Sequence, residues 1–336
     1  MCCSVIDVQS PNVELLTRAA SLYFLERLTQ QEIARMLGVS RQTVGRLLQQ
    51  AQEQGIVRIE IRSPAAESES LARQLERSFG LMEATVAVPD GPKEEQARQA
   101  VGKAAARLLE RRLHKGKVLG LGWSTTVLRM VEQLAPPVGG RETRIVQLDG
   151  GVPYGRHPNE TADIVHRAAL ALDARAVALM TPLYVDTTEI RDALVGDTGI
   201  REALALARRA DLAFFGLGAV SRRSNLYATG YLSDDLIDTL LDEGAVGEIL
   251  GRFFDEQGQP RGLDLSERTI GLSLEDLHHV PFRCLLASGE SKVDAIRGAL
   301  AGGYANAIVM DEPTALALLA EEGAVTSHDR EAERSR

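Results

Sequence analysis

Apolar positions in residues 28–57 fall at helical spacing in two short runs separated by a glycine, and a hydroxyl residue stands before each run. Thr29 with Glu32 three positions on has the form of a capping box, and Leu28 can staple against Ile33, so a helix is predicted from Gln30. Gly38 can take the left-handed conformation that ends it. Ser40 then caps a second helix, with Val39 placed to pack on Val44. Along that helix Val44, Leu47, Leu48 and Ala51 share one face, leaving Arg41, Gln42, Thr43, Arg46, Gln49 and Gln50 on the other. After Gly55 the period changes to two, with Val57, Ile59 and Ile61 alternating with Arg58, Glu60 and Arg62 as in a half-buried strand. The pattern predicts a winged helix-turn-helix.

Ser63, Pro64 and the small, acidic AAESES mark the exit from this unit, and Leu71, Leu75 and Phe79 suggest a short amphipathic helix. Seven short apolar runs follow: EATVAV (83–88), KVLGLGW (117–123), RIVQL (144–148), RAVALM (175–180), DLAFFGLG (211–218), RCLLAS (283–288) and NAIVM (306–310). Amphipathic helical stretches lie between most of them. That alternation predicts an α/β domain, a Rossmann-like, doubly wound parallel sheet with helices on both faces. The expected organisation is a helix-turn-helix domain at 1–62, a linker and helix at 63–80, an effector and oligomerisation domain at 81–325, and a flexible tail at 326–336.

The polar face of the second helix carries hydrogen-bond donors and hydroxyls. Guanine acceptors in a major groove suit arginine, and the donor–acceptor pair of adenine suits glutamine. From Ile33 to Gln52 there are three arginines and no acid, so nothing repels a phosphate backbone. A helical hairpin that only packs or dimerises is the plain alternative; the missing carboxylates favour DNA. Thr29, Gln30 and Ser40 at the helix starts, with Arg41, Gln42, Thr43 and Arg46, are the candidate contacts.

The chain of 336 residues has a net charge of −9, which excludes a general nucleic-acid sponge. Residues 1–62 hold seven arginines against six acids, so the acidic excess sits in the body. A near-neutral reader binds DNA weakly alone, and useful affinity needs several linked copies, hence a homo-oligomer. Three cysteines, two of them Cys2 and Cys3, make neither a disulfide framework nor a metal site. No apolar run approaches membrane-spanning length and no export signal opens the chain, so a cytoplasmic protein is expected.

In doubly wound sheets ligands bind beyond the carboxyl ends of the strands. GLGWSTTV (120–127) follows a strand and opens a helix, where the Ser124, Thr125 and Thr126 hydroxyls and amides could cradle a phosphate; an ordinary strand-to-helix turn reads the same way. It lacks the third glycine of a dinucleotide fingerprint and is not a Walker loop. ASGESKVDAIRGAL (287–300) puts Lys292 in the first turn of a helix, against the dipole, which makes sense beside an anion; a solvated lysine is the alternative. Gly216 and Gly218 end another strand, and Asp149 and Glu248 are acids beside glycines, placed to accept sugar hydroxyls or simply to cap turns. His157, His166, His278 and His279 form no recognisable site.

Together, LTQQEIARMLGVSRQTVGRLL, GLGWSTTV, QLDGG with NETADIVHRAA, ADLAFFGLG, ATGYLS, AVGEILGRFFDEQGQP, IGLSLEDL and ESKVDAIRGALAGGYANAIVMDEPTALALL resemble, in order and spacing, the SorC family of sugar-responsive bacterial transcriptional regulators. The resemblance implies an effector domain similar to ribose-phosphate isomerases and glucosamine-phosphate deaminases, a phosphorylated sugar as allosteric ligand, no cofactor or metal, and tetramers. It places Ser124, Thr125 and Thr126 at the phosphate, Asp149, Asn159 and Glu160 near the sugar hydroxyls, and Gly218, Glu248 and Lys292 around the pocket. Tyr227, Ala228 and Thr229 stand where relatives that answer to bisphosphorylated sugars carry a basic residue, which argues against a second phosphate site. A sugar-phosphate isomerase or deaminase with an added reader is the rival. It shares the sheet but shows no acid–base or nucleophile constellation.

Overall fold

The structure, a computed structural model, describes residues 13–57, 64–135, 140–151, 160–228 and 230–320. It divides into two compact units, Met1–Ser63 and Pro64–Arg336. The expected wing residues Ile59 and Ile61, together with Cys2, Cys3, His157, Asn159, Thr229 and the tail from 321, lie outside the described residues.

The first unit is built on α1 (Val13–Ala20), α2 (Gln30–Leu37) and α3 (Arg41–Glu53). The capping box at α2 is present: the Thr29 amide donates to Glu32 Oε2 at 2.8 Å, and Thr29 Oγ1 accepts from the Glu32 amide at 3.4 Å. Gly38 ends α2 at φ 66°, and Ser40 caps α3 by accepting from the Thr43 amide at 3.0 Å. Leu16, Ala19, Leu22, Ile33, Ala34, Val44, Leu47, Leu48 and Ala51 pack into one core, so the apolar face read from spacing is the face that buries. The sequence pattern did not show α1, nor the π-helical turn Ser21–Leu25 that follows it, which closes on Arg27 at φ 57° before α2 begins.

In the second unit all seven apolar runs form strands of one parallel sheet. These are β1 (Glu83–Ala87), β2 (Val118–Leu121), β3 (Arg144–Gln147), β4 (Arg175–Val177), β5 (Leu212–Gly216), β10 (Phe282–Ala287) and β11 (Ala307–Asp311), in the order β1-β11-β10-β5-β2-β3-β4. Alternate residues serve opposite faces. Phe214, Cys284, Leu286 and Val309 point to one layer, made by α5 (Glu94–Arg112), α6 (Thr125–Val131) and α7 (Glu160–Ala171). Phe215, Leu285, Ala287 and Ile308 point to the other, made by α4 (Pro64–Phe79) and the helices Thr198–Ala207 and Val293–Ala301. Burial on both faces is why the central strands read as continuous apolar runs rather than alternating ones, while β4 at the edge is exposed or half-buried. Phe214 and Phe215 are each fully buried, worth about 2–3 kcal/mol apiece relative to exposure. The amphipathic helix expected from Leu71, Leu75 and Phe79 is α4, and its fully buried Leu75 is part of this core.

The chain moves outward from β2 to β3 and β4, then returns to β5 and runs the other way through β10 and β11. The strand order therefore reverses between β2 and β5, and a crevice opens there. A second, antiparallel sheet stands over it: β6 (Gly218–Ala219), β7 (Gly247–Ile249), β8 (Arg252–Phe254) and β9 (Pro260–Arg261). Its β7–β8 hairpin turns on Leu250 and Gly251, at φ 52° and 76°. That is the primed turn geometry matching strand twist, unusual for a leucine.

Candidate functional site

A cavity of about 540 Å³ occupies the crevice. β2 delivers Trp123, Ser124 and Thr125 to it, β3 delivers Asp149, β5 delivers Gly216 to Gly218, and β10 delivers Ser291 and Lys292. Ser124 caps α6, its Oγ accepting from the Thr126 amide at 3.1 Å. Gly216 is required directly opposite, since a Cβ there would lie 2.2 Å from Ser124 Oγ. Glu248 reaches the cavity through the second sheet, because β6 continues from the end of β5 and pairs Gly218 with Glu248. A Cβ at Gly218 would sit 2.5 Å from Glu248 Oε1.

Asp149 is buried, and both its oxygens accept from the Trp123 amide at 3.0 Å. Burial pushes its carboxyl up to about 7 against that hydrogen bond, and the charge of Glu248 adds to the rise. Glu248 is likewise raised to about 7 by burial, opposed by the Gly251 amide 3.1 Å away and by the charge of Lys292. Lys292 is lowered, first by burial and then by Arg98; its Nζ donates to the Leu217 carbonyl at 3.1 Å. Arg252 links the two acids at a distance. It donates from the Glu248 hairpin to the carbonyls of Leu272 at 2.9 Å and Ser266 at 2.8 Å, and Gly271 in that segment bridges Asp149.

Of the residues expected at the pocket, Ser124, Thr125, Asp149, Gly218, Glu248 and Lys292 line one cavity. Thr126 does not. It lies second in α6, its side chain turns into the core, and its amide is taken by Ser124. Glu160 opens α7, but its side chain, like Asn159, lies outside the described residues. The sequence reading missed Glu94 and Arg98 on α5 and Arg223 in the loop after β6, all on the cavity wall. The strand-end rule applied to β1 would have found the first two. His278 shares a 2.8 Å hydrogen bond with the Gly302 carbonyl and stacks on Tyr304, a packing role, and Cys284 is a buried core residue.

In the first unit the face of α3 opposite its core exposes Arg41, Gln42, Thr43 and Arg46. Thr29 and Ser40 are exposed and Gln30 half-buried at the helix starts. Among the described residues Arg41 and Arg46 make no ion pair.

Residues 63–320 match the Sugar-bind family of sugar-binding domains, and residues 14–66 match a Crp-like helix-turn-helix domain. Over 315 residues the chain is 32% identical to the sorbitol operon regulator of Klebsiella pneumoniae, spanning 92% of this chain and 99% of that one. The chain belongs to the SorC family. The crystal structure of the full-length SorC regulator from Klebsiella pneumoniae aligns with a TM-score of 0.72 at 32% identity, covering 93% of this chain and 100% of that one. A second relative is the deoxyribonucleoside regulator of Bacillus subtilis, 33% identical over 307 residues, 91% of this chain and 97% of it. A domain of a sugar-binding transcriptional regulator from Arthrobacter aurescens aligns at TM-score 0.68 and 28% identity, covering 76% of this chain and 99% of that domain. This SorC-family chain is a transcriptional regulator with a DNA-binding helix-turn-helix and a sugar-binding domain, and the relatives are regulators, not enzymes. Among the described residues no helix is long and apolar enough to cross a membrane.

Proposed function

We propose that this chain controls genes for carbohydrate catabolism and that a phosphorylated sugar bound in the crevice alters its affinity for the operator. The observation that carries this reading is the meeting of the Ser124–Thr125 helix start, Lys292 and two carboxyls in one cavity. The hydroxyls and amides suit a phosphate, Lys292 adds charge, and Asp149 and Glu248 suit sugar hydroxyls. Arg41, Gln42, Thr43 and Arg46 contact base edges or phosphates, while Thr29, Gln30 and Ser40 hold the backbone.

The chain works as a homo-oligomer, a tetramer on this reading, because one near-neutral reader is too weak alone. Control is linkage: the sugar phosphate binds one arrangement of the oligomer more tightly than another, and only that difference shifts operator affinity. The chain acts in the cytoplasm, where DNA and sugar phosphates meet.

Sugar and polyol phosphates, each beside its unphosphorylated parent, test the reading by thermal shift. Deoxyribose and glucitol phosphates come first, given the relatives. A ligand at a hundred times its Kd stabilises the protein by about 2.7 kcal/mol. The same ligand must then shift the operator gel-shift midpoint. A panel in which parents stabilise as well as their phosphates rejects the phosphosugar.

A further inference from the structure

α5 and α6 both lead back from the carboxyl edge of the same parallel sheet, so they run side by side in the same direction. They touch at Gly102, where a Cβ would lie 2.6 Å from Arg129 Cβ and 2.9 Å from the Met130 nitrogen. Four residues earlier on α5 stands Arg98, and four residues before Arg129 and Met130 stand Thr125 and Thr126, one helical turn back on each helix. Arg98 is thereby set beside the start of α6, and it lines the cavity with Ser124, Thr125 and Lys292.

Its guanidinium is held by two acids of unlike character. Nη1 donates to Glu95 Oε2 at 2.6 Å, and Glu95 is itself fixed by Arg129 Nε at 2.7 Å, which pairs onward with Glu132 at 2.8 Å. Nη2 donates to Glu94 Oε1 at 2.7 Å. Glu94 has a side chain 66% exposed and the first position of the helix, and beyond Arg98 its charge also acts on Lys292. Exposed pairs of that kind contribute little and exchange readily with solvent.

We propose that Arg98 is the arginine that binds the effector's phosphate, and that Glu94 fills the phosphate's place on Nη2 until the effector displaces it. Glu95 and Arg129 keep the fork oriented throughout, so little side-chain freedom is lost on binding. An arginine presents paired donors that match phosphate oxygens, which the Ser124 and Thr125 hydroxyls then complete. Lys292 lines the same cavity, lowered first by burial and then by Arg98, and an anion beside the two cations relieves the second of these. Glu94 also discriminates, since a neutral sugar gives Arg98 no reason to leave its acid.

The inference rests on the phosphosugar reading, and the two fail differently. The full chain and its variants are titrated calorimetrically with inorganic phosphate, ribose 5-phosphate, 2-deoxyribose 5-phosphate and glucitol 6-phosphate, and with the parent sugars. Arg98→Gln is expected to weaken each phosphate that the unaltered chain binds by on the order of tenfold or more, Arg98→Lys by less, and Glu94→Gln to strengthen it. A merely structural ion pair predicts instead that Glu94→Gln and Arg98→Gln weaken binding alike. That result, or unchanged affinity in Arg98→Gln, overturns the proposal; should Arg98→Gln fail to fold, Arg98→Lys and Glu94→Gln decide it. If the unaltered chain binds none of the phosphates, or binds parents as tightly, the phosphosugar reading itself is overturned and the role of Arg98 with it.

Discussion

The Trp123 amide donates to both carboxylate oxygens of Asp149 at 3.0 Å and so ties the end of β2 to the end of β3. One amide is a small return for a buried carboxylate, and the carboxyl is raised to about 7. Between about pH 4 and pH 7 the folded chain therefore holds a proton that the unfolded chain has lost. Stability falls as pH rises through that window, and Glu248, also raised to about 7, acts in the same direction. Asp149→Asn should flatten the profile and melt higher than the unaltered chain at pH 8, by on the order of 2–4 kcal/mol at most. Melting curves from pH 5 to 8 check this; a flat profile for the unaltered chain contradicts it.

Gly216 leaves room for Ser124. Gly216→Ala would set a methyl 2.2 Å from Ser124 Oγ and 2.4 Å from its Cβ, both on a capping residue that cannot swing away without uncapping α6. The expected cost is about 1–3 kcal/mol of stability, with loss of effector binding. Thermal melts and effector titration of the variant measure the two effects separately.

Lys292 is half-buried at the cavity wall with one carbonyl partner. Lys292→Met keeps the packing and removes the charge. The effector concentration that half-changes operator binding should rise about tenfold or more. A midpoint that stays where it was removes Lys292 from the site.

Arg46 is exposed on α3 and, among the described residues, its side chain makes no hydrogen bond or ion pair. Arg46→Ala should weaken operator binding, with the melting temperature held and the salt dependence of log K reduced by about one if a phosphate contact is lost. Gel shifts at several salt concentrations read both. Undiminished affinity would count against α3 as the reading helix.

Much of this architecture was legible before any coordinates, because it rests on local rules. Thr29, Gly38 and Ser40 each act on a partner within four residues, Glu32, Ala34 and Thr43 in turn, so the caps are visible in order along the chain. The central parallel strands were visible because strands buried on both faces must be apolar throughout; β4, at the sheet edge, is exposed or half-buried and shows only as a short apolar run. The small antiparallel sheet was not. β6 and β9 are two residues each, and Leu250 in a positive-φ turn breaks the usual signature of a hairpin.

What the sequence by itself determined is the set of units: a capped helix pair with a polar outer face, seven short apolar strands, and the glycine and hydroxyl residues at their ends. Which strand ends meet was left to the tertiary structure. The reversal of strand order between β2 and β5 is a property of the whole sheet, and it alone brings Ser124 over Gly216. The same holds for Arg98, which in the sequence is one arginine on a charged helix. It becomes part of the cavity because Gly102 lets α5 lie close against α6, a contact between residues 27 positions apart that no local pattern records.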